Sequence, residues 1–444
     1  MTPRFTAPQA AHHRAASRRD SPLPRPPAVT GDAGREGCQL PRPPRTRPWW
    51  GFCAVAVTLF AMMLSATLPT ALYATYAHRF GFGPGTLTLI FAAYVAGILT
   101  VLVLLGDLAD RIGCRAVLLA AVIIAVLGSA LFVAAGSVAM LLLARFLHGV
   151  AVGLALGAGT SALARLHPNA DRSAAALVST VANVLGQGCG ALLGGLLGEW
   201  FPDPLRYVWV FYLALLISAA YLMLRLPDDT QKTSYWLRLT HVSVPAEIRL
   251  LFFANAAGGF AISAVLGLYS SLTPSILHNL LHLGSPALAG TVSFALFSVS
   301  AVTQIALRSV NTKTAAIGGV AILTAGIITV AAAAALASLT LLLLGTVIAG
   351  VGQGLAFMSL LASTSSAAPD DRRAEVVSAF YIAAWLGAAL PIIGVGFAAP
   401  AIGLLPSIYA FTSLITLLAG IAIIGLLKVG GRATSPSPAG NVLT

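Results

Sequence analysis

Twelve apolar stretches, each long enough to cross a bilayer, dominate this chain and leave little room for any other architecture. Six lie at about residues 50–72, 87–106, 115–135, 138–160, 174–197 and 207–226. After a polar stretch from Pro227 to Arg249, six more lie at about 251–273, 286–307, 315–337, 340–362, 376–398 and 405–427. A helix needs about 20 apolar residues to span roughly 30 Å of hydrocarbon. Only helices and closed barrels satisfy every backbone polar group there. Composition agrees, with 58% of 444 residues hydrophobic and 9% charged, against about 25% charged in soluble domains. The expected fold is an all-α membrane protein of twelve transmembrane helices in two six-helix bundles. They occupy residues 48–226 and 250–428, joined by a central loop at 227–249.

Charge placement tests that count. The net charge of +12 does not describe a nucleic-acid-binding face, because the basic residues stand between apolar runs and in the tail. With the N-terminus in the cytoplasm, all 26 Lys and Arg fall on that side except Arg79, Arg206 and Arg145, the last lying within the fourth run. A wrong helix count would scramble this sorting, so the positive-inside rule places both termini in the cytoplasm; the expected location is a bacterial inner membrane. Residues 1–47 hold nine arginines and many prolines; such a segment buries too little apolar area to order itself and reads as a disordered, basic cytoplasmic tail. Residues 429–444 read as a second cytoplasmic tail. The first apolar run begins near Trp49, so no cleavable leader is expected. Cys38, Cys53, Cys114 and Cys189 are scattered singly, which suggests neither a disulfide framework nor a metal site. No nucleophile–base pair or phosphate loop is evident, so no enzyme activity, metal or cofactor is expected.

The halves repeat each other. Asp171-Arg172, before the fifth run, recurs as Asp371-Arg372 before the eleventh, and Gly149 and Gly153 in the fourth recur as Gly350 and Gly354 in the tenth. Parallel repeats of this kind place a substrate site between the halves, near the bilayer midplane.

Three motifs carry mechanism. The loop after the second run reads Gly106-Asp107-Leu108-Ala109-Asp110-Arg111-Ile112-Gly113-Cys114-Arg115. Its glycines permit a tight turn, Asp110 can accept from helix N-terminal amides, and Arg111 and Arg115 hold the cytoplasmic face. The fourth run carries Arg145-Phe146-Leu147-His148-Gly149; a charge at that depth must face protein or water. The fifth carries Gly186, Gly190, Gly194 and Gly195, small residues that let helices touch backbone to backbone. The loop resembles the signature G-x-L-A-D-R-x-G-R-R of the major facilitator superfamily, with Cys114 in place of an arginine. The fourth run is similar to that family's R-x-x-Q-G element, with His148 for glutamine. The fifth looks like the G-x-x-x-G-P-x-x-G-G element of its drug/proton antiporters, with Ala191 for proline. The resemblance implies alternating-access transport, with Arg145 and His148 as coupling candidates and the proton as the candidate coupling ion.

All 14 acidic residues fall in the tail, loops or helix ends, so no mid-membrane carboxylate awaits a cationic substrate, and a proton would have to sit on His148 or on a helix-end group such as Asp107. The uncharged cavity candidates are Tyr73, Tyr94, Asn183, Gln187, Asn255, Tyr269, Gln304, Gln353, Tyr381 and Trp385, a set suited to neutral or weakly polar organic molecules. The expected function is export of a hydrophobic or neutral small organic compound, the alternative being import or facilitated passage of a small neutral solute. The expected partners are that substrate and the lipid bilayer, with no nucleic acid, and the chain is expected to act as a monomer. A cytoplasmic gate is also expected, with Asp110 meeting the N-terminus of the eleventh helix near Asp370–Glu375.

Overall fold

In the computed structural model, which describes residues 49–105, 108, 112–226, 244–369 and 372–432, each apolar run becomes a helix. In chain order these are α1 (Trp49–Thr67), α2 (Pro84–Leu104), α3 (Cys114–Val133), α4 (Val138–Leu166), α5 (Arg172–Trp200) and α6 (Pro204–Arg225). The second half supplies α7 (Arg249–Ser271), α8 (Pro286–Ala306), α9 (Thr312–Ala335), α10 (Leu339–Ala367), α11 (Arg373–Ile402) and α12 (Leu404–Arg432). All twelve are long and apolar enough to cross a membrane. The expected N-terminal tail, the C-terminal tail beyond Arg432, most of the central loop, and Gly106, Asp107, Asp110, Arg111, Asp370 and Asp371 lie outside the described residues, so the Asp110 gate does too; residues 429–432 continue α12.

Polar caps set the helix starts. Asp171 Oδ1 accepts from the amides of Ser173 (2.9 Å) and Ala174 (3.0 Å) at the head of α5. Ser285 and Asn311 cap α8 and α9 in the same way. The Ala174 amide, then that of Ser173, hold the Asp171 carboxyl below its ordinary range, helped by nearby His167. Gly113 opens α3 at φ 90°, a conformation that favours glycine. Two residues on, Arg115 donates to the Leu224 carbonyl at the end of α6 (3.0 Å).

The packing repeats with a period of six helices. α1 packs on α5 and α6 as α7 packs on α11 and α12, and α2 on α4 as α8 on α10. The repeated glycines make the last correspondence concrete: a Cβ on Gly149 would fall 2.0 Å from the Tyr94 carbonyl of α2, and one on its counterpart Gly350 would fall 2.9 Å from the Leu296 carbonyl of α8. The halves meet chiefly through two pairs, α5 with α8 and α2 with α11.

The first run departs from a single helix over 50–72. α1 stops at Thr67, a 3-10 turn spans Thr70–Leu72, and a second helical piece runs Tyr73–Phe80. Pro69 is the cause, because it has no N–H to give the Ser65 carbonyl. α7 repeats the device: it stops at Ser271, and Thr273–Leu280 continues it with Pro274 inside its first turn.

Candidate functional site

The two helix breaks define a polar layer in the membrane interior. Pro69 leaves the Ser65 carbonyl of α1 without its fourth-neighbour donor, and the turn at Thr70 draws the next amide away from the Ala66 carbonyl. Arg145 of α4 fills both: its guanidinium donates to Ser65 O at 2.7 Å and to Ala66 O at 3.0 Å. The side chain is 0% exposed, and its Nε–H has no partner. The Tyr94 ring of α2 lies 4.5 Å from the guanidinium carbon, the geometry of a cation–π contact. Gly149, one turn beyond Arg145, lets α4 and α2 approach closely enough for this. This interior cation is thus matched by two carbonyls and a ring rather than by an acid.

Tyr94 also bridges the halves. Its ring meets Trp385 of α11 edge-on, with centroids 6.2 Å apart. At the other break, Pro274 deprives the Ser270 carbonyl of its donor, and Thr70 Oγ1 from the first half supplies one at 2.7 Å. The second-half break is therefore satisfied by a residue of the first.

α5 shows what the glycine pattern does. A Cβ on Gly186, Gly190 or Gly194 would fall 2.0–2.7 Å from α1 backbone carbonyls, those of Phe60, Leu64 and Leu68, whereas one on Gly195 would strike the Pro286 carbonyl of α8 at 2.5 Å. α5 is thereby wedged against α1 on one face and α8 on another. Thr67 Oγ1 adds a hydrogen bond to the Gln187 carbonyl. Between those two faces runs the stripe Ala176, Thr180, Asn183 and Gln187, partly exposed throughout. Gln187 donates to Asn183 Oδ1 at 2.6 Å, which leaves the Gln187 oxygen and three amide N–H, one on Gln187 and two on Asn183, for a guest.

Past the middle of the membrane the two halves are in tight contact. Phe297 of α8 packs on Val184 and Gly188 of α5, Gly290 on Ala191, and Gly396 of α11 on Thr88 of α2. These contacts run to the face opposite the one where α1 begins and α12 ends.

The other sequence candidates sort by seam. Asn255 donates to Ser363 (3.1 Å) and Thr364 (3.0 Å), and the Tyr269 hydroxyl pairs with Thr346 (2.8 Å), tying α7 to α10. Gln353 lies on that same α10 stripe, and Gln304 bonds Ser300 of its own helix at 3.1 Å. Tyr73 is fully buried with its hydroxyl unpartnered. Tyr381 is partly exposed beside Phe357, with centroids 6.4 Å apart.

His148 bonds to a different helix from Arg145. Its Nε2 reaches the Ala125 carbonyl (3.3 Å) and Ser129 Oγ (3.1 Å) of α3. Because a carbonyl only accepts, Nε2 carries the proton, and Nδ1 is left without a partner. Phe132, Trp209 and Tyr212 enclose the ring at 5.4–6.1 Å. Sequence reasoning did not single out Ser65, Thr70 or Ser270, all of which take part in these bridges. The signal available was Ser65-x-x-x-Pro69 recurring as Ser270-x-x-x-Pro274.

The family model described as Major Facilitator Superfamily matches residues 53–392. The chain belongs to that superfamily. A multidrug resistance protein named MdtD, from Escherichia coli O81 (strain ED1a), is 26% identical over 240 residues, 52% of this chain and 50% of its own. The chain spans about half the length of the curated relatives it matches. A solved bacterial homologue of the human lysosomal transporter Spinster, inward-facing and unoccupied, superposes with TM-score 0.72 at 15% identity, over 88% of this chain and 100% of its own. A D-xylose–proton symporter gives 0.69 at 13% identity, over 85% and 96%. At those identities the structures establish the fold. Superfamily membership and the twelve apolar helices make the chain a multi-pass membrane protein.

Proposed function

We propose that this transporter exports a hydrophobic or neutral small organic compound by alternating access across a bacterial inner membrane, as a monomer with both termini in the cytoplasm. The observation that carries the reading is the charge balance of the central layer. Arg145 is matched by the Ser65 and Ala66 carbonyls and the Tyr94 ring, so it needs no anionic guest. Among the described residues, the carboxylates inside the spans, Glu199, Glu247 and Glu375, stand at helix ends, so no acid waits there for a cationic one. The uncharged groups beside that layer are the Tyr94–Trp385 pair and the partly exposed amides of Asn183 and Gln187. An apolar wall with a few placed hydrogen-bonding groups suits an aromatic compound bearing one or two polar atoms. The multidrug resistance name of the relatives supports the direction.

The proton is the proposed counter-ion, carried by a helix-end carboxylate rather than by His148, whose ring is sealed among α3, α4 and α6. The test is flux in proteoliposomes for matched neutral, cationic and anionic aromatic compounds, with and without a pH gradient. The neutral member should move, faster with the gradient, and Trp385→Ala and Asn183→Ala should slow it. Transport confined to the cationic or anionic member would refute the reading.

A further inference from the structure

At the face away from the termini, a carboxylate of the first half enters the N-terminal cap of a helix in the second. Glu199, one residue from the end of α5, accepts through Oε2 from Ser285 Oγ (2.5 Å) and from the Ala287 amide (2.9 Å). The amides at the head of α8 show why that carboxylate fits. A helix start leaves its first few N–H groups without internal partners. Pro286, at the first position, has none to place. Leu288 N–H goes to Ser285 Oγ (3.1 Å) and Ala289 N–H to Ser285 O (3.2 Å). The Ala287 amide is the one left over, and it is the one Glu199 takes.

The surroundings make this contact a reporter of closure. One turn back on α5, Gly195 abuts Pro286 and Gly290, and Gly198 abuts Pro286, so the carboxylate meets the cap only when the helices are in full contact. Glu199 itself is exposed. Water can therefore replace both donors when the halves part, and the bond can break and re-form on every cycle.

We propose that Glu199 is a positioning residue of the transport cycle: it fastens α5 to α8 on the face opposite the termini and must let go before that face opens. The claim does not depend on which compound is carried.

The test uses the full chain in proteoliposomes, with its four cysteines changed to serine and a new pair introduced by Gly198→Cys and Pro286→Cys. A Cβ on Gly198 falls 3.6 Å from that of Pro286, within the disulfide range, so the oxidation rate reads how often this face is shut. Glu199→Ala should slow cross-linking several-fold. Glu199→Gln keeps an acceptor but loses the charge and should fall in between. The melting temperature should stay unchanged in both, because the residue is exposed. An unchanged cross-linking rate in Glu199→Ala would overturn the proposal. So would slowing accompanied by a lowered melting temperature, the mark of general loosening.

Discussion

Replacing Arg145 tests whether its guanidinium exists to repair the break in α1. Arg145→Met keeps the bulk of the side chain but withdraws both donors from the Ser65 and Ala66 carbonyls. A buried acceptor stripped of its partner costs about 1–3 kcal/mol, so the pair should cost roughly 2–6 kcal/mol. The break itself supplies the control. Pro69→Ala restores an N–H that can reach Ser65 O, and a continuous helix brings the Thr70 amide to Ala66 O. In that background the same Arg145→Met change should cost less, by about 1–3 kcal/mol for each carbonyl recovered. The assay is a double-mutant cycle on unfolding free energy in mixed micelles. Unlinked sites add to within about 0.5 kcal/mol, so coupling above about 1 kcal/mol supports the repair role. An Arg145→Met cost that is the same with and without the Pro69→Ala change would refute it.

Two further outcomes rest on the packing and the caps. Gly290→Ala places a Cβ 2.4 Å from the Ala191 carbonyl, so the halves cannot close fully beyond the midplane; the Gly198→Cys/Pro286→Cys pair should then cross-link more slowly while each half stays folded, and an unchanged rate would contradict the seam. Asp171→Ala removes the α5 cap, and since the folded carboxyl titrates below its ordinary value, the cap's contribution is present above about pH 4 and fades as pH falls through the folded value. The wild-type melting advantage over Asp171→Ala should therefore be flat near neutrality and vanish in acid; an advantage that survives strong acid would contradict the assignment.

The fold was legible because each span had to be apolar along its whole length and each loop on one side had to be basic. The repeat was legible where glycines recur, since Gly149 and Gly350 do the same steric work on α2 and α8. The break in α1 was not. Pro69 stands in an apolar run, and its effect depends on Arg145 and Thr70, which come from elsewhere in the fold. Arg145 and His148, three residues apart, look like one motif, but their neighbours differ: His148 reaches α3 and α6 while Arg145 meets α1 and α2. Side chains such as Asn255 and Tyr269 have the same composition whether they line a groove or glue two helices, and only the α7–α10 seam separates the cases. Glu199 stood among the helix-end acids and drew no attention, because its partner at Ala287 is a backbone amide 88 residues away.

The most direct test of the account is the direction and charge class of transport in everted inner-membrane vesicles containing the chain, loaded from outside with a neutral aromatic fluorophore. The account predicts accumulation inside the vesicles, driven by an acid interior and slowed by Trp385→Ala. Accumulation in right-side-out vesicles instead, or movement of a cationic analogue but not the neutral one, would contradict it.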